Sequence, residues 1–87
     1  MAKLSTRAAR IETAAETAFG PRGMTQLATA TGVSQQMLSF IVRGERPVSD
    51  DAYRKIAAAI AAEAARMRVA GAQLEKMARQ MLRELEE

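Results

Sequence analysis

A single glycine, Gly32, joins two short helical patterns within residues 27–41, and its spacing leaves few folds open. Leu27 and Ala28 fall on the inner face of a first helix, with Ala28 small enough for a second helix to cross closely over it. Gly32 stands where the chain turns sharply, a place where positive φ is usual and a Cβ costs energy. Val33 plugs the gap between the helices, and Ser34 is placed to N-cap the second of them. Leu38 and Ile41 then face inward, which leaves Gln35, Gln36, Ser39, Phe40 and Arg43 outward. A rigidly held helix that presents polar, hydrogen-bonding side chains has the form of a major-groove reader.

The rest of the chain reads as helix on either side. Ser5 or Thr6 opens a first helix running to about Phe19, with Leu4, Ala8, Ile11, Ala15 and Ala18/Phe19 on one face. Gly20 and Pro21 end it and begin a second helix over about residues 22–30; a third covers about residues 34–43 and stops at Gly44. Residues 45–48 form a short loop with Pro47. Ser49 then caps a fourth helix whose first turn carries Asp50 and Asp51, complementing the helix dipole. Tyr53 and Ile56 are expected to complete the core. No proline occurs beyond this point, and Ile60, Met67, Leu74 and Met81 recur every seven residues, with Ile56, Ala70 and Met77 interleaved and Leu85 continuing the ridge. Gly71 leaves two readings open, a break before a separate helix from about Ala72 or one long projecting helix, because a glycine costs only ~1 kcal/mol inside a helix. The expected fold is therefore all-α. Residues 1–68 form a helix-turn-helix core of four helices, and residues 69–87 form an amphipathic tail, a long continuation or an additional helix. Leu74, Met77, Met81 and Leu85 are the expected dimer interface, against the alternative of packing back onto the first helix.

Composition narrows the function classes. The chain has no cysteine and no histidine, so disulfides, thiolate metal sites and the commonest general base are absent. No enzyme activity, metal or cofactor is expected. No stretch approaches the ~20 apolar residues of a membrane span, and a cytoplasmic protein of a bacterial cell, acting at the nucleoid, is expected. The net charge of +3 says less than its distribution. No acidic residue occurs from Thr17 to Gly44, while Arg22 and Arg43 lie inside that window and Arg46 just beyond it, as on a surface that approaches phosphates.

With these residues in place, residues 24–48 resemble the lambda-repressor-like (Cro and phage repressor, XRE-type) helix-turn-helix family. The resemblance rests on the leucine–alanine pair, the turn glycine, the valine after it, the inward leucine and isoleucine, and the Arg43-Gly44-Glu45-Arg46-Pro47 exit. Thr31 departs from the family, which usually carries a larger apolar residue there, and a looser turn is expected. The likeness implies a transcriptional repressor or autoregulator of a phage, plasmid or toxin–antitoxin operon that binds an inverted-repeat DNA operator as a homodimer. Two alternatives stand beside it: an antitoxin whose C-terminal helices grip a toxin, and a helical protein-interaction module that does not bind DNA.

Gln35 and Gln36 are expected to read bases, since a glutamine amide matches adenine N6 and N7 and a good bidentate pair discriminates by ~1–3 kcal/mol. Ser39 and Phe40 stand beside them. Phe40 either meets a thymine methyl or is covered by a second subunit or the fourth helix. Arg43 and Arg46, leaving the groove at the helix end, are expected to hold phosphates, as are Ser34 and Arg22 at helix starts. Lys3, Arg7, Arg10, Arg54 and Lys55 read as ordinary solvated residues.

Overall fold

A computed structural model of the chain describes residues 6–87, so the roles expected of Lys3, Leu4 and Ser5 lie outside the described residues. It contains α1 (Thr6–Phe19), a 3-10 turn (Gly20–Arg22), α2 (Gly23–Thr31), α3 (Gln35–Val42) and α4 (Asp50–Glu86), with no strand among the described residues. In α1 the spacing of three and then four puts Ala8, Ile11 and Ala15 on one buried face. Gly20 leaves the helix at φ 72°, and Pro21 starts the 3-10 turn. The second helix consequently begins at Gly23 rather than at Arg22 and runs one residue past the expected end.

Gly23 is buried against α1, where an added Cβ would stand 2.6 Å from the carbonyl oxygen of Ala15. Only glycine lets the two backbones meet there. The core built around this crossing is small: Ile11, Leu27, Leu38, Ile41 and Ile56 join Ala8 and Ala15, and Leu27 and Leu38 are wholly excluded from solvent. Phe19, Met24, Val33, Met37, Tyr53 and Ile60 close over its edges. Each large aliphatic side chain so buried contributes about 1.5–3 kcal/mol, so few residues sustain the head.

α4 does not break. Gly71 lies within a single 37-residue helix, and a Cβ there would meet open space. Ser49 caps it by accepting the Ala52 N–H at 3.1 Å, with Asp50 and Asp51 in the first turn. Asp50 also receives Arg7 Nη1 at 2.7 Å, and the Arg7 guanidinium lies 4.8 Å from the centre of the Tyr53 ring. Arg7 is thus exposed, as expected, and in addition joins α1 to the start of α4 through a surface ion pair. Near the middle of α4, the Glu63 carboxylate accepts from the Arg66 guanidinium, and that hydrogen bond holds its pKa below the ordinary carboxylate value. From Ala72 onward every side chain is exposed, and the molecule extends 61 × 26 × 19 Å.

Candidate nucleic-acid interface

The turn between α2 and α3 is fixed by local chemistry. Gly32 adopts φ 77°, in the left-handed region, and donates its N–H to the Ala28 carbonyl at 2.9 Å. Thr31 tightens this turn instead of loosening it: its hydroxyl donates to the Leu27 carbonyl at 2.8 Å and accepts the Val33 N–H at 3.1 Å. A larger apolar residue could fill space there but could make neither bond. Ser34 Oγ then accepts the Met37 N–H at 3.1 Å, capping α3, and the Ser34 carbonyl accepts the Leu38 N–H at 3.0 Å. Leu38 and Ile41 face the core as expected.

The other face of α3 is open. Gln35 and Gln36 are exposed in its first turn, while Ser39 and Phe40 are half-buried further along. At the far end, Gly44 turns back at φ 78°, and the Phe40 carbonyl accepts N–H groups from both Glu45 (2.9 Å) and Arg46 (3.2 Å). This closure lays the guanidinium carbons of Arg43 and Arg46 at 5.4 and 5.7 Å from the centre of the Phe40 ring. Phe40 is therefore flanked by two arginines and stays half-open, an arrangement that sequence spacing did not reveal because it depends on the chain folding back after Gly44. A cation held over an aromatic face gains about 0.5–1 kcal/mol at an exposed site, enough to bias where these side chains point. The Arg43 guanidinium also lies 3.3 Å from the Glu45 carboxylate, with both side chains more than half exposed, so Arg46 is left as the less neutralised of the two cations.

Ser34, Gln35, Gln36, Ser39, Phe40, Arg43 and Arg46 thus come together on α3 and its two ends. Arg22 stands apart, exposed at the end of the 3-10 turn and before the first turn of α2. Leu74, Met77, Met81 and Leu85 are 63%, 50%, 65% and 83% exposed on the distal half of α4, far from this face. Among the described residues no group of acidic side chains could hold a metal ion, and no helix is long and apolar enough to cross a membrane.

Residues 18–67, more than half of the chain, match the model of a family described as helix-turn-helix. The match starts at the end of α1 and reaches Met67 on α4, so that it contains the whole of the α3 face and both of its ends. Neither the curated proteins nor the solved structures compared with the chain include a match.

Proposed function

We propose that this chain, which belongs to the lambda-repressor-like (XRE-type) helix-turn-helix family of DNA-binding transcription regulators, is a repressor or autoregulator of a phage, plasmid or other mobile-element operon. It binds an inverted-repeat operator as a dimer and represses by occluding polymerase, which requires no further domain.

The observation that carries this reading is the exposed start of α3, where Gln35 and Gln36 project from a helix locked by the Ser34 cap and by Leu38 and Ile41 in the core. A helix held this firmly spends little ordering entropy on entering the groove, and its amides present a donor and an acceptor to adenine. Ser39 and Phe40 extend the reading face, Phe40 by apolar contact with a thymine methyl. Arg43 and Arg46, steered by the Phe40 ring, take backbone phosphates on one side; Ser34 and Arg22, at the starts of α3 and α2, take them on the other.

Selection of DNA from a random pool by the 87-residue chain tests the reading. An enriched inverted repeat is expected. Gln35→Ala and Gln36→Ala should each cost about 1–3 kcal/mol on that sequence and much less on random DNA. Arg46→Ala should weaken both and lower the salt dependence by about one unit. Equal losses on both DNAs for the glutamine variants would remove them from base reading.

A further inference from the structure

From Ile60 to Leu85, α4 alternates large and small residues in a way that specifies how two copies pair. Ile60, half-buried at the edge of the core, and the exposed Met67, Leu74 and Met81 form one row of a ridge along α4. Four residues after each of them stand Ala64, Gly71, Ala78 and Leu85, which complete the same ridge on a helix. In a parallel pair, like rows face each other, giving thick Leu74–Leu74 and Met–Met layers alternating with Gly71–Gly71 and Ala–Ala gaps. In an antiparallel pair, Met67, Leu74 and Met81 each face a small residue, so the central layers have similar volume and the axes can approach to about 8 Å.

Charge selects the register. Arg68 and Glu75 come directly after Met67 and Leu74 on the same flank of the ridge, and in an antiparallel pair this flank meets itself. With Leu74 of one copy over Gly71 of the other, Arg68 faces Glu75 of the second copy, twice by symmetry. Sliding by one heptad either way brings Arg68 onto Arg68 or Glu75 onto Glu75. The flanking apolar residues agree with the first register, which places Met77 against Ala70 and Leu82 against Ala61. Glu84 meets Glu63 there, whose charge Arg66 already engages.

The same register carries Met81 and Leu85 of the second copy to Ala64 and Ile60. Here an apolar groove of about 370 Å³ lies between α1 and α4, floored by Ala14, Ala18, Ile60, Ala64 and Met67. Leu85, the one large residue in the small row, thus arrives where there is room for it. The acidic end formed by Glu84, Glu86 and Glu87 arrives near Arg10 on the groove's rim.

We infer that two copies of this chain associate through an antiparallel pairing of α4, with Leu74 over Gly71 and the C-terminal turn of each seated in the α1–α4 groove of the other. This rests on the proposed dimeric function and adds its direction, register and groove.

The chain's lack of cysteine makes the test direct. A nitroxide on Glu86→Cys reports the distance between the two labels. Antiparallel pairing in this register separates the two copies of residue 86 by about 27 residues of helix rise, hence about 40 Å. A parallel pair puts them at about 20 Å or less. Arg68→Glu and Glu75→Arg should each raise the dimer dissociation constant about tenfold, and the double variant should restore it to within about threefold. A short label distance, or a double variant no better than the singles, overturns the pairing while leaving a dimer in place. A wild-type monomer by sedimentation at tens of micromolar, with no dipolar distance, removes the second copy altogether and with it the dimeric reading.

Discussion

Two glycines near each other in sequence do opposite things, and substitution separates them. Gly32 has room for a Cβ but a φ of 77°, so Gly32→Ala should cost about 1–2 kcal/mol of backbone strain. Gly23 has an ordinary helical φ of −53° but no room, since its missing Cβ would press on the Ala15 carbonyl. Gly23→Ala should therefore part α1 from α2 and cost about 1–3 kcal/mol, with the midpoint of urea unfolding lowered accordingly. A Gly23→Ala protein as stable as wild type would mean that the crossing relaxes freely. The difference explains what was legible in the chain. Gly32 was readable because its need is local: a turn, flanked by a valine and a capping serine. Gly23 was not, because its neighbour lies on another helix and the crossing distance leaves no periodic trace. Arg7 is a similar case: its partner Asp50 is 43 residues away, joined to it only by the final packing of α1 on α4.

Among the elements, α3 is the one whose formation depends most on its ends. At 8 residues it is too short to be stable by propensity, so the Ser34 cap, the return of Glu45 and Arg46 to the Phe40 carbonyl, and the burial of Leu38 and Ile41 sustain it together. Ser34→Ala is expected to cost about 1 kcal/mol and Ser34→Gly only a few tenths, measured by urea unfolding. The larger loss with glycine would point to backbone conformation rather than the hydroxyl. The caps of α3 and α4 and the inward positions of α3 were legible from the sequence because they are set within a few residues. Whether Gly71 interrupts α4 was not, since about 1 kcal/mol against helix is too little to decide between one helix and two. The tightness of the turn at Thr31 was hidden for a related reason: side-chain volume suggested slack, and two hydrogen bonds supplied what volume did not.

At the scale of the molecule, a compact head carries a helix much longer than its core can cover. Leu74→Lys together with Met81→Lys should leave the head folded while producing a monomer with sharply weaker operator binding, because a single reading helix contacts too few base pairs to select one site. A double variant that still sediments as a dimer would take the ridge out of that role. Antiparallel pairing would set the two Ile56 residues, and so the two heads, about 33 residues of rise or about 50 Å apart. Half-site centres more than one DNA turn (~34 Å) apart are then expected in footprints. From Ala72 to Glu86, 15 residues of α4 have no tertiary cover, a length that is marginal alone in water. The far end of α4 should consequently fray in a lone chain and wind up only when a second chain arrives. Helical circular dichroism per residue should fall as the protein is diluted below its association constant, while the head keeps its own cooperative melting. A regulator built this way would meter its own abundance, because the fraction of chains able to grip DNA on both sides rises with the number of copies the cell contains.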